Sequence, residues 1–328
     1  MDRRCMLRTV AGAAPALLGL PVGALPRAGK PARIGILGTT TAEGFAPRWA
    51  ALRAGMLALG YVEGRHLVYE ERFADDRHER LPMLAAELAA LRVDVLVTHG
   101  IPGTRAARQA TSTIPIVMAS VADPVAAGLV QSFARPEVNV TGMSFLAREM
   151  AAKRIGLLKE AVPRLATVGV ISNPRNAAFS EAMAEAMLGA AKALALKLEV
   201  FQASDVREYP AVVAEMAALR MDAMAVTEEA TLNSHVGDLA ALALRHRLPS
   251  VGSREYANAG GLIGYGADLV EMFRRAAGLV DRILKGARAQ DLPVEQPNAV
   301  ELVLNVSASR ALGIAFPNTM RLRATTLV

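Results

Sequence analysis

Residues 167–174, Thr167-Val168-Gly169-Val170-Ile171-Ser172-Asn173-Pro174, form a short apolar run that ends in polar turn residues. The same pattern stands earlier as Ile34-Gly35-Ile36-Leu37-Gly38-Thr39-Thr40-Thr41. Each reads as a buried strand opening into a polar loop and then a helix. Two more pairs follow in order. Asp222-Ala223-Met224-Ala225-Val226-Thr227 parallels Asp94-Val95-Leu96-Val97-Thr98, and Leu248-Pro249-Ser250-Val251 parallels Ile114-Pro115-Ile116-Val117. The offsets are 134, about 129 and 134 residues. Three ordered matches at nearly one offset indicate an internal duplication.

Between the matched strands the pattern switches to helical spacing. Trp49, Leu52, Met56 and Leu59 recur at intervals of three and four before Gly60 stops the run. A strand over 66–73, helix 78–92, strand 94–98, helix 103–112, strand 114–119 and helix 124–133 complete the first copy. Strands alternating with helices predict an α/β fold, with parallel sheets flanked by helices on both faces. At 328 residues the chain has room for two such lobes in tandem. A tail of strand 261–265, helix 268–286 and strand 301–305 has to finish one or both sheets, so more than one crossing links the lobes and makes a hinge. The expected division is a leader over 1–30, a first lobe over 31–143 plus 266–290, and a second over 144–265 plus 291–328.

The first thirty residues read as a signal peptide, with Arg3, Arg4 and Arg8 ahead of an apolar run from Val10 to Leu25. The Arg3-Arg4 pair resembles a twin-arginine export signal, with Sec export as the alternative. The leader carries a net +4 of the chain's +6, so the mature part keeps only +2 and gives no electrostatic case for nucleic-acid binding. The single cysteine, Cys5, precedes the apolar run. Export without it leaves no disulfide, no thiolate metal site and no lipid anchor.

In open parallel sheets ligands sit beyond the carboxyl ends of strands, where helix N-termini present free N–H groups. The loops in that position carry Thr39, Thr40, Thr98, His99, Gly100, Thr104, Ser120 and Asp123 in the first copy, and Asn173, Thr227, Glu228 and Glu229 in the second. Most are small, neutral and hydroxyl-bearing. No G-x-S-x-G pentapeptide accompanies them, and Ser144, in TGMSFLA, lacks the second glycine and reads as a turn or cap residue. The histidines at 66, 78, 99, 235 and 246 form no i,i+4 pair and have no cysteine partner, which predicts no metal site. GILGTTT and GIPGTR lack the lysine of a phosphate loop, so no cofactor is expected. Asp123 before Pro124 is either a helix N-cap or a contact for a ligand amine. Glu228, or Glu229 beside it, is the natural partner of an ammonium group among neutral hydroxyls.

These loops lie within longer segments: RIGILGTT (33–40), LGYVEGRHLVYE (59–70), VTHGIPGTRAA (97–107), IPIVMASVADPVAAGLV (114–130), ARPEVNVTGMSF (134–145), LKEAVPR (158–164), GLIGYG (261–266), RILKGARAQDLPVEQP (282–297) and ELVLNVSASRALGI (301–314). Together they resemble the periplasmic substrate-binding proteins of ABC transporters with the type I fold, in the group that includes tryptophan- and tyrosine-type binders. The resemblance implies two Rossmann-like lobes joined by three crossovers, a ligand cleft between them, and a small-molecule ligand such as an amino acid or aromatic-like compound. It implies no catalysis, a permease in the inner membrane as partner, a periplasmic location and a monomer. Tyr265, in GLIGYG, joins the candidate contacts by the same likeness. Two segments depart from the pattern: Glu137-Val138 stands where two glycines are usual, and AVTEEATL (225–232) replaces a more apolar, proline-containing cleft loop. The competing readings are an exported α/β hydrolase or isomerase using His99 with Asp123 or Glu228, and a ligand-sensing module docking on a membrane receptor. A DNA-binding repressor of this fold is disfavoured, because the leader occupies the place of its helix-turn-helix.

Overall fold

The computed structural model describes residues 30–328; residues 1–29 of the expected leader lie outside them. Five parallel strands, β1 (Ala32–Gly38), β2 (Leu67–Phe73), β3 (Val95–Thr98), β4 (Ile116–Ala122) and β5 (Val140–Phe145), form the first sheet in the order β2-β1-β3-β4-β5. The second sheet contains β6 (Thr167–Ser172), β7 (Lys197–Gln202), β8 (Ala223–Val226), β9 (Ser250–Gly252), β10 (Ile263–Ala267), β11 (Val300–Leu304) and β12 (Thr326–Leu327), ordered β12-β11-β10-β9-β8-β6-β7. Only β11 runs antiparallel to its neighbour β10. The duplicated phrases are β1 and β6, β3 and β8, β4 and β9. They occupy the same places in the two sheets, β1 between β2 and β3, β6 between β7 and β8.

The period of two in each strand sorts its side chains between two cores. Ile34, Ile36, Val95, Val97 and Val117 pack with Trp49, Leu52 and Met56 of helix Ala46–Ala58 and with Phe273 and Leu279 of helix Leu269–Leu284. Leu37, Leu96, Ile116 and Met118 face the other way, onto helices Leu81–Ala90 and Gly100–Ala110. In the second lobe Val168 and Val170 oppose Ile171 across the sheet in the same manner. Burying each such side chain contributes about 1.5–3 kcal/mol.

The chain crosses between lobes three times: after β5, after β10, and between Glu295 and Val300. Before the last crossing Glu295 adds to the edge of the first sheet, donating its N–H to the Gly142 carbonyl at 2.8 Å and accepting from Ser144 N–H at 2.8 Å. Gly142 has φ +149, and a β-carbon there would lie 2.1 Å from the Met118 carbonyl oxygen. Only glycine lets β5 approach the irregularity of β4 between Met118 and Val121 this closely.

The helix expected over 124–133 is a set of turns instead. Asp123 has φ +41, Gly128 has φ +67, and Ala127 N–H bonds the Asp123 carbonyl. Left-handed residues at both ends of the six-residue span 123–128 leave no room for helical propagation. Opposite the three crossings the lobes touch again. Arg175 Nη1 of the second lobe donates to the Asp76 carbonyl of the first at 3.3 Å, His235 Nε2 lies 3.6 Å from Asp76 Oδ2, and a β-carbon on Gly44 would come within 2.7 Å of Ser234 Cβ. The cleft is thus bounded by the hinge on one side and by these contacts on the other.

Candidate functional site

Threonine ends β3 and directly follows β8, the third strands of the two copies, and in both the hydroxyl is used within the sheet. Thr98 Oγ1 donates to the Leu37 carbonyl at 2.9 Å, and Thr227 Oγ1 donates to the Ile171 carbonyl at 3.2 Å. The next residue then points the opposite way, into the space between the lobes. That residue is His99 in the first lobe and Glu228 in the second, both buried and both lining the cleft.

His99 precedes helix Gly100–Ala110 in extended conformation. Its Nε2 accepts the Thr39 N–H at 3.1 Å, which fixes that nitrogen as unprotonated. Burial, with smaller contributions from Arg48 and His78, lowers the imidazole pKa to about 3, so the ring is neutral. Phe45 stacks on it at 4.1 Å between centroids and 21° between planes, while the Arg48 guanidinium lies 4.2 Å from the Phe45 centroid. Two groups this close to one ring must occupy opposite faces, so Arg48, Phe45 and His99 form a three-layer stack. Trp49 and Phe273 pack beside the imidazole, at 5.6 and 6.0 Å between centroids.

On the second-lobe wall, Arg154 of helix Ala147–Ala161 donates Nη2 to Glu228 Oε2 at 2.6 Å and Nε to the Tyr265 carbonyl at 2.7 Å. Both charged side chains are wholly out of solvent. Burial pushes the Glu228 carboxyl up, and Arg154 opposes it. Glu228 Oε1 has no hydrogen-bond partner in the protein. Glu229 Oε2 caps helix Ala230–Ser234, accepting from Thr231 N–H at 2.9 Å, and accepts a second hydrogen bond from Asn173 Nδ2 at 3.0 Å.

A cavity lies between these two walls, lined by residues of both lobes. Of the residues singled out from sequence, Thr39, His99, Gly100, Ser120 and Glu228 line it, as does Glu229. The others lie outside the lining. Thr40 Oγ1 turns to the Thr41 carbonyl, Thr104 Oγ1 to the Gly100 carbonyl, and Asn173 positions Glu229. Asp123 sits half-buried in the turn after β4, where burial and Glu149 push its carboxyl up. Tyr265 contributes its carbonyl to Arg154. Sequence reasoning missed Arg154, Phe45 and Arg48. The signal for Arg154 was present: it shares the stripe of Ala147, Met150, Ala151, Ile155 and Leu158, a charge on the buried face of its helix.

Among the described residues no cluster of three or more His, Cys, Asp or Glu could hold a metal, and no helix is long and apolar enough to cross a membrane. His99 is hydrogen-bonded to Thr39 and to no carboxylate, so the histidine–acid pair that an enzymatic reading needs is not formed.

The same architecture occurs in known proteins. A conserved domain protein from Vibrio cholerae matches with a TM-score of 0.84 and 28% identity, covering 91% of this chain and 100% of that one. The ABC domain from Streptococcus pneumonia, solved in complex with L-Trp, matches with a TM-score of 0.80 and 23% identity over 90% and 100% of the two chains. A tyrosine-binding protein of Clostridioides difficile is 26% identical over 255 residues, 77% of this chain and 72% of the relative. Residues 34–328 match the family described as ABC transporter substrate binding protein, nearly the whole of the described chain. Two duplicated α/β lobes around a cleft, with that match along their length, place this chain in the ABC transporter substrate-binding protein family.

Proposed function

We propose that this protein is the exported solute receptor of an ABC importer and that its cleft takes an amino acid with an aromatic or apolar side chain, bound as the zwitterion. One observation carries the reading: the buried Glu228 Oε1, without a protein partner, lies in the same cleft as the free N–H groups at the start of helix Gly100–Ala110 and the Ser120 hydroxyl. An ammonium group satisfies the carboxylate, and a carboxylate satisfies the N–H groups and the hydroxyl. Phe145, Phe179 and Leu269 supply apolar wall for a side chain between them. The names of two similar proteins, one tyrosine-binding and one holding L-Trp, support the same ligand class.

In this reading the protein binds and releases without turnover, acts as a monomer, docks on an inner-membrane permease and has no nucleic-acid partner. Its periplasmic location follows from the basic and apolar leader, removed on export by the twin-arginine or Sec route. Native mass spectrometry of freshly purified protein tests the ligand class: a co-purified species with the mass of a free amino acid supports it, and a sugar or a carboxylate without nitrogen contradicts it.

A further inference from the structure

The two carboxylates of the cleft differ in how their charge is met. Arg154 neutralises Glu228 in a buried ion pair. Every hydrogen bond to Glu229 comes from a neutral donor: the Asn173 side-chain amide, Thr231 N–H and Leu232 N–H. All three reach Oε2, and Glu229 Oε1 is buried without a hydrogen-bond partner in the protein, as are Asn233 Oδ1 and both ring nitrogens of His78. These three residues line the cavity, with Glu229 1% exposed and Asn233 5%. A buried carboxylate held only by neutral groups keeps its full charge, so a cation brought beside it is strongly favoured over a neutral group.

Asn233 N–H donates to the Glu229 carbonyl at 2.8 Å, so the two side chains lie one turn apart on the same face of helix Ala230–Ser234. His78 lines the same cavity from the first lobe. It stands two residues after Asp76, which touches Arg175 and His235 of the second lobe, and helix Ala230–Ser234 ends at His235. The set therefore lies at the end of the cleft away from the hinge. Glu228 is held at the other end, by Arg154 and beside the Tyr265 carbonyl of β10, after which the chain crosses. The two carboxylates address different ends of one ligand.

Glu229 Oε1 and Asn233 Oδ1 accept hydrogen bonds, and a neutral histidine adds one accepting nitrogen. A primary ammonium group brings three N–H donors and one positive charge, which meets three acceptors and offsets Glu229. A hydroxyl donates once and leaves two acceptors unmet; a carboxylate donates none and is repelled by Glu229. We propose that His78, Glu229 and Asn233 form a cation subsite, and that the ligand is an amino acid whose apolar side-chain stem ends in a primary ammonium group. This rests on the reading of the cleft as an amino-acid site: Glu228 keeps the α-ammonium, Phe145, Phe179 and Leu269 flank the stem, and Glu229 takes the second charge. L-Tyrosine makes the first two contacts and leaves the distal acceptors unmet.

The experiment is calorimetric titration of ligand-free mature protein with L-lysine, with L-norleucine, which lacks only the terminal amino group of L-lysine, and with L-tyrosine. It is repeated on Glu229→Gln, which keeps an oxygen for the helix cap, and on Asn233→Leu, which leaves the cap untouched. The wild type is expected to bind L-lysine at least about tenfold more tightly than L-norleucine, and each variant to lose most of that ratio while still binding L-norleucine. Equal affinity for L-lysine and L-norleucine in the wild type, or tighter binding of L-tyrosine than of L-lysine, overturns the subsite and leaves the amino-acid reading standing. A ratio unchanged in both variants overturns the assignment to these residues. Failure of all three compounds to bind overturns the subsite and removes the underlying reading as well.

Discussion

Arg154 Nη2 and Glu228 Oε2 are 2.6 Å apart with both side chains fully buried, one on a helix of the second lobe and the other at a strand end facing the cleft. Desolvating both charges is costly, and only their mutual attraction and the Tyr265 carbonyl offset it. Arg154→Met is therefore expected to destabilise the fold by roughly 3–5 kcal/mol, because it strands a carboxylate, and Arg154→Met with Glu228→Leu is expected to recover most of the loss. Urea unfolding of the three proteins measures this. A single-variant cost below about 1 kcal/mol, the ordinary value for an exposed pair, would contradict it.

The hydroxyls divide by where they point. Ser120 lines the cleft, so Ser120→Ala is expected to weaken amino-acid binding by about 1.5–3 kcal/mol and to leave unfolding nearly unchanged. Thr98→Val and Thr227→Val remove bonds internal to each sheet, so they are expected to cost about 1 kcal/mol of stability with little effect on affinity. Denaturation and calorimetry on the same three variants separate the two groups.

Much of this was legible in the sequence. The duplication, the parallel sheets and the strand-end loops follow from period-two patterning and from repeat offsets. The orientation of neighbours at a strand end did not follow: Thr98 and His99 are both polar, and only the sheet decides which faces inward. Arg154 escaped notice because an arginine in a helix ordinarily reads as a solvated charge, and its partner lies 74 residues away. The Arg48–Phe45–His99 stack likewise joins a loop, a helix start and a strand end that only the fold brings together.

The neutral state of His99 gives a pH dependence. Its pKa is about 3 in the folded protein against an ordinary 6.5, so between these values the unfolded chain holds a proton that the folded chain does not. The contribution is complete above pH 6.5 and is lost progressively as pH falls toward 3, by up to about 1.4 kcal/mol per pH unit. The stability gap between wild type and His99→Asn is expected to narrow by up to about 2 kcal/mol between pH 6.5 and 5. A gap that stays constant over that window would refute the buried neutral ring.

At the far side of the cleft, hydrogen bonding to Asp76 of the first lobe raises the pKa of His235 in the second, with Asp238 assisting from His235's own lobe. Closing the lobes strengthens the hold on this proton, so the closed form is favoured below the raised value and loses that support as pH rises through it. Asp76→Ala is expected to speed ligand release and to flatten the pH dependence of affinity above the ordinary histidine value of 6.5. Stopped-flow release of L-tyrosine at several pH values checks it.

The central claim is that Glu228 holds the ligand's ammonium group. Its most direct test is calorimetric titration of wild type and Glu228→Gln with L-tyrosine and with 3-(4-hydroxyphenyl)propanoate, which lacks only the amino group. In the wild type, loss of the amino group is expected to cost about 2–5 kcal/mol, and in Glu228→Gln, which keeps an oxygen for Arg154, the two ligands should bind within a few-fold of each other. Equal affinity of the wild type for both compounds would contradict the account.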